Sequence, residues 1–216
     1  MATSNFSKFF CLLSLIAICL ELTGCSGFFA ALYGMKKPKS LSSTDIARYA
    51  GKYHIPADQS YLLDSSYFNY VFSLDTTQFK EQQKNHYQPL QALYYDKDGN
   101  LVSFHINCYA GGFPNLKWNR NGILDTFLPH SQTPPDSMLP LSKQLVYIKT
   151  LDGREAEKSI PGDNDYVVVV YWNHFLTRQS KRFIRYIKYN CTLVQGKKVK
   201  LLFVNDDNLF SETESN

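Results

Sequence analysis

Tyr166-Val167-Val168-Val169-Val170-Tyr171-Trp172, a basic stretch to Cys191, and then Val199-Lys200-Leu201-Leu202-Phe203-Val204 form the part of the chain that decides its fold. The first run is β-branched and aromatic with no polar alternation, which predicts a strand buried on both faces. Leu176, Phe183, Ile184 and Ile187 recur at helical spacing, so a helix is predicted over 174–191. Val199–Val204 predicts a second buried strand. Strand, helix and strand in this order imply two parallel strands joined by a right-handed crossover.

Upstream, Pro89–Tyr95 and Leu101–Ile106 flank Asp96-Lys97-Asp98-Gly99-Asn100. Two β-rich runs around an Asp-Gly turn predict a β-hairpin. Asp96, Asp98 and Asn100 alternate as calcium ligands do. However, Leu101 stands where such a loop needs Gly, and Asn107 where it needs a bidentate Glu, so the turn is the preferred reading. A second hairpin is expected from Gln144–Thr150 and Arg154–Ile160 around Leu151-Asp152-Gly153. Pro129, Pro134, Pro135 and Pro140 mark 129–141 as a connector. Nearer the start, Ser43-Thr44-Asp45 offers helix caps ahead of Ile46, Tyr49, Ala50 and Tyr53. A short strand is expected at 61–64 and a polar helix at 76–87. Together these predict one α/β domain over 43–216 with a mixed sheet, α+β being the alternative.

The first residues read as an address. Lys8 is a sparse basic region, and Phe9–Leu20 is a twelve-residue apolar run. A membrane-spanning helix needs about 20 residues, so the run fits the apolar region of a signal peptide instead. Leu22-Thr23-Gly24-Cys25 follows directly. This resembles the lipobox of bacterial lipoproteins, in which the cysteine is lipidated and becomes the first residue of the mature chain. The resemblance implies a signal peptide at 1–24, a thioether-linked diacylglyceryl group on Cys25, and an amide-linked acyl chain of the palmitate type. Two or more chains anchor stably. Ser26 after the cysteine resembles the enterobacterial sorting signal for the outer membrane, so the expected location is the cell envelope, lipid-anchored and facing the periplasm. Residues 25–42 are then the lipidated cysteine and a tether, with Lys36, Lys37 and Lys39 near headgroups. The other reading is that this stretch is the first packed segment of the domain.

Removing 24 of 216 residues leaves 192, still one domain. The chain has five cysteines. Cys11 and Cys19 leave with the peptide and Cys25 is lipidated, so only Cys108 and Cys191 remain. That excludes a four-cysteine zinc site. An oxidising envelope permits a Cys108–Cys191 disulfide; two idle thiols, or one reactive thiol, are the other readings.

The strand ending Tyr171-Trp172-Asn173-His174-Phe175, its helix and Val199–Val204 resemble the central βαβ unit of thioredoxin-like proteins. The Pro89 hairpin resembles that family's late hairpin, although here it precedes the βαβ unit. Leu176 and Gln179 occupy the positions of the family's Cys-x-x-Cys, so dithiol exchange there is not implied. The whole chain also resembles uncharacterised bacterial lipoproteins of this layout.

Motifs for catalysis, phosphate loops and metals are missing from the sequence, and no cofactor is expected. His54, His86, His105, His130 and His174 form no metal spacing. His105 and Cys108, three apart in a strand, would face opposite sides. His174 is read as a packing histidine. Asp206-Asp207, after a parallel strand, is the best acidic pair and is read as a cap or solvated turn. The one asymmetric feature is charge. Arg178, Lys181, Arg182, Arg185 and Lys188 give one helix +5 with no Asp or Glu between. The first four share a face, which is either solvated or meets anionic headgroups or an acidic partner. A whole-chain net charge of +4 does not call for nucleic acid, and Tyr186 and Tyr189 are read as packing. The expected function is a non-catalytic, membrane-anchored envelope module that binds an unknown envelope protein or surface component. The alternative is a thioredoxin-like redox protein using Cys108, with or without Cys191.

Overall fold

The computed structural model describes Ala30, residues 32–156 and residues 163–213. The expected signal segment at 1–24, Cys25 and the 157–160 part of the expected second hairpin lie outside the described residues. In chain order the helices are α1 (Ser43–Lys52), α2 (Ser66–Ser73), α3 (Thr76–His86), α4 (Asn107–Ala110), α5 (Leu141–Val146), α6 (Thr177–Thr192) and α7 (Asp207–Thr213). The strands are β1 (Ser60–Leu63), β2 (Gln91–Asp96), β3 (Leu101–Ile106), β4 (Ile148–Thr150), β5 (Tyr166–Trp172) and β6 (Val199–Asn205).

They form one mixed sheet in the order β3-β2-β5-β6-β1-β4. β5 and β6 pair in parallel, from Tyr166 opposite Val199 to Trp172 opposite Asn205, and β6 pairs in parallel with β1. The other three pairings are antiparallel. The chain is therefore an α/β domain with the expected βαβ unit in its C-terminal half.

The missing alternation in β5 has a direct cause. Val167, Val169 and Tyr171 point into one core with Tyr67, Phe68 and Val71 of α2 and Leu209 of α7. Val168, Val170 and Trp172 point into the other core with Ile46 and Ala50 of α1 and Phe183, Ile184 and Ile187 of α6. Both faces are covered, so both strand parities are apolar. Burying each such side chain contributes about 1.5–3 kcal/mol.

The hairpin of β2 and β3 turns at Asp96–Asn100. The Asp96 carboxylate accepts from the Asp98 and Asn100 amides at 3.0 and 2.8 Å. Gly99 sits at φ +81°, which a side chain would resist. The 129–141 connector lies along the edge strand. Ser131 Oγ accepts from the Phe104 amide at 2.8 Å, and the Phe104 carbonyl accepts from the Gln132 and Thr133 amides. These bonds occupy backbone groups that an edge strand would otherwise leave open.

Three expectations are corrected. Gln144–Val146 is the end of α5, not a strand. Pro140 starts the helix, its carbonyl accepting from the Gln144 amide, and Gln144 and Leu145 turn inward. Only Ile148–Thr150 is extended; it pairs with β1 on one side, and across the expected Leu151-Asp152-Gly153 turn it meets 154–156, the Thr150 amide donating to the Arg154 carbonyl at 2.8 Å and the Ala156 amide to the Ile148 carbonyl at 3.1 Å. The third correction is that α6 begins at Thr177, three residues later than expected, because residues 174–176 are engaged elsewhere. Met35 bridges Leu176, the Lys36 amide donates to the Phe175 carbonyl at 2.7 Å, and the Thr177 amide donates to Gly34. Residues 34–41 are thus bonded to the domain at separate points, while Lys36, Lys37, Lys39 and Ser40 stay exposed. Leu41 is buried, and its amide donates to Asn208 Oδ1 at 2.7 Å.

Candidate functional site

β5 and β6 finish at the same end of the sheet, the position where open α/β sheets bind ligands. Each runs into a polar pair, Asn173-His174 after β5 and Asp206-Asp207 after β6. Asp206 is 2% exposed. Its side chain receives Asn173 Nδ2 at 3.0 Å, and the same nitrogen also reaches the Pro89 carbonyl at 2.9 Å. Burial, and then the adjacent Asp207, hold the Asp206 carboxyl well above the ordinary carboxylate range.

Asp207 works as a clamp. Its Oδ2 accepts from the His174 amide and Asn205 Nδ2, both at 2.7 Å, and its Oδ1 accepts from the Phe175 amide at 3.3 Å. Burial raises its carboxyl to about 6 against the pull of those three donors. The pair is therefore neither a solvated turn nor a conventional helix cap; Asp207 holds the turn that leads into α6.

His174 is also buried. Its ring stacks on Tyr49 of α1, with centroids 3.6 Å apart, and Nε2 lies 2.7 Å from Lys36 Nζ. An ammonium has no acceptor, so Nε2 accepts and Nδ1 carries the proton. Burial, followed by Lys36, Lys39, Arg48 and Lys52, pushes the imidazole down to about 4. The ring is neutral at physiological pH and packs between Tyr49 and the Lys36 ammonium.

Beside this cluster α6 and the end of α1 enclose a groove of about 300 Å³. The five cations expected to share a surface, Arg178, Lys181, Arg182, Arg185 and Lys188, all line it. Ile184 and the ring of Tyr53, 1% and 6% exposed, are its buried apolar wall. Tyr53 meets Trp172 edge-on at 5.3 Å, which fixes the groove to the end of β5. Lys188 Nζ donates to the His54 carbonyl at 2.8 Å and ties the two helices together. Among the described residues none of the five cations is paired with a carboxylate.

Cys108 and Cys191, the cysteines among the described residues, are not brought together. Both are free thiols, so the disulfide reading is not realised. Cys108 is exposed at the start of α4, with Sγ 2.9 Å from Gln88 Oε1. Cys191 is buried on α6, and burial pushes its thiol up to about 12. His105 is buried with Nε2 3.1 Å from Ser103 Oγ, so it makes no dyad with Cys108. Among the described residues no group of three His, Cys, Asp or Glu is placed to hold a metal.

The strand-end cluster also takes in Asn173 and Asn205, to which the sequence reading gives no role, and Lys36 and Tyr49, which it reads only as a headgroup-side lysine and a helix-face residue. The available signal was that both parallel strands run into asparagine, a residue poorly suited to a strand and well suited to bonding local backbone. Comparison with known proteins adds no family, since no family model, no curated protein and no solved structure matches the chain.

Proposed function

We propose that this chain is a lipid-anchored protein of the bacterial envelope, outer-membrane bound and facing the periplasm, whose domain binds rather than catalyses. Its recognition face is the groove between α1 and α6. One observation carries this reading: five cations, none with a carboxylate partner among the described residues, converge on a single concave surface. Like charges at helical spacing oppose folding slightly. Such a local conflict, left without a compensating carboxylate, is what a binding surface for an anionic component requires. The lipobox at Leu22–Cys25 supplies the membrane attachment in this reading. The test is acyl labelling and fractionation of a Cys25→Ala variant in the producing bacterium. The variant should lose the acyl label and leave the membrane fraction, and unchanged partition would refute the anchor.

A redox role for Cys108 is the second reading, favoured by the exposure of that thiol beside Gln88. It requires a thiol-dependent activity that Cys108→Ser abolishes while Cys191→Ser does not. No change in Cys108→Ser removes it.

A further inference from the structure

We infer that the α1–α6 groove seats the phosphate-bearing headgroup of an anionic lipid belonging to the membrane that holds the chain. The inference rests on the anchored reading above and names the ligand class of that same groove. Its first support is the lining. Ile184 and the Tyr53 ring form an apolar wall beneath Arg178, Lys181, Arg182 and Arg185. An apolar wall under a cationic rim matches an amphiphile, whose phosphate meets the guanidinium groups while its glycerol backbone rests on the wall. About 300 Å³ is the volume of a small-ligand pocket rather than of a protein-docking face.

The second support is position. Residues 34–36 are bonded to the start of α6, where the Thr177 amide donates to the Gly34 carbonyl at 3.0 Å. A Cβ built on Gly34 would stand 3.1 Å from Arg178 Cβ. The chain leading from Cys25 therefore enters the domain at the Arg178 end of the groove. Gly34 lies nine positions after Cys25. Ala30 to Met35 is already a closed turn, with the Met35 amide donating to the Ala30 carbonyl at 2.8 Å, so the intervening chain spans less than the roughly 30 Å of a fully extended stretch and the groove stays within that distance of the headgroups. Leu32, two residues before Gly34, is 57% exposed. Lys36, Lys39, Arg48 and Lys52 cluster around His174 and continue the positive field.

The experiment uses the acylated protein, reconstituted on vesicles of neutral phosphatidylcholine or of phosphatidylcholine doped with phosphatidylglycerol. The anchor holds the protein on both, and amine labelling with peptide mapping reads individual lysines. Lys181 should be protected about five-fold on the anionic vesicles, the partition change expected of one cation at an anionic surface. Lys80 and Lys84, on α3 across the sheet, should label equally on both. Arg182→Glu with Arg185→Glu should abolish the protection; Arg182→Gln with Arg185→Gln is the milder pair if thermal melting shows the first unfolded. Equal labelling of Lys181 on the two vesicles overturns the inference, and equal protection of Lys80 reduces it to non-specific adsorption. Protection by inorganic phosphate on neutral vesicles would assign the groove to a free anion instead of a lipid. The mass of the purified protein reads the anchor separately. An unacylated chain overturns the anchored reading, and this inference with it, whereas an acylated chain with no Lys181 protection overturns the inference alone.

Discussion

Asp207 and His174 share one backbone turn, and their stabilities run in opposite directions with pH. Asp207, raised from 3.8 to about 6, binds a proton more tightly in the folded chain. Its contribution is complete below the unfolded carboxylate value and is lost as pH rises through about 6. Two units correspond to about 3 kcal/mol. His174, depressed from 6.5 to about 4, behaves the other way. Its contribution is present above 6.5 and is lost as pH falls toward 4. Urea unfolding at pH 7 and at pH 4 separates the two. Between those conditions the stability of the parent relative to Asp207→Asn should shift toward the parent by about 2–3 kcal/mol. Relative to His174→Gln it should shift away from the parent. If neither difference moves with pH, the two side chains are not held in the charge states described.

At the scale of elements, α6 and α1 are secured by different devices. α1 ends in a Schellman motif. The Ile55 amide donates to the Ala50 carbonyl and the His54 amide to the Gly51 carbonyl, with His54 at φ +58°. α6 is fastened at its far end by Asn190, which is fully buried. Asn190 Oδ1 accepts from Tyr94 Oη at 3.0 Å, and Nδ2 donates to the Leu124 and Thr126 carbonyls at 2.9 and 2.8 Å. One side chain thus joins the helix, the sheet and the loop before the connector. Asn190→Ala leaves the buried Tyr94 hydroxyl and Leu124 carbonyl unmatched, along with the part-buried Thr126 carbonyl, and it should cost about 2–4 kcal/mol by chemical denaturation. A loss below about 0.5 kcal/mol, the range of an ordinary surface substitution, would contradict this role. The helix itself was legible in the sequence because Phe183, Ile184 and Ile187 recur at its period. Its late start was not legible, because it depends on a strand-like contact with Met35, which lies 141 positions before Leu176.

At the scale of the molecule, the sheet separates two cores and decides which thiol is reachable. Cys191 lies in the core between the sheet and α6, whereas Cys108 is at the surface. A maleimide should modify Cys108 in the native protein, while Cys191 should react only when the domain opens, with a rate that rises with denaturant. Comparable native rates, read by peptide mapping, would show that α6 does not seal this core. The amino-acid sequence alone determined the elements whose cause is local. The apolar runs of β5 and β6, the Asp-Gly turn, the helical period of α6 and its five cations, and the unbroken proline-rich connector all follow from neighbours within a few residues. The tertiary structure decided what depends on partners far along the chain. It set the burial of Asp206 and Asp207, the neutral state of His174, the separation of Cys108 from Cys191, and the closing of the cations around an apolar wall. The physical reason is that desolvation and charge proximity are set by three-dimensional packing, whereas periodicity and turn chemistry are carried by the chain itself.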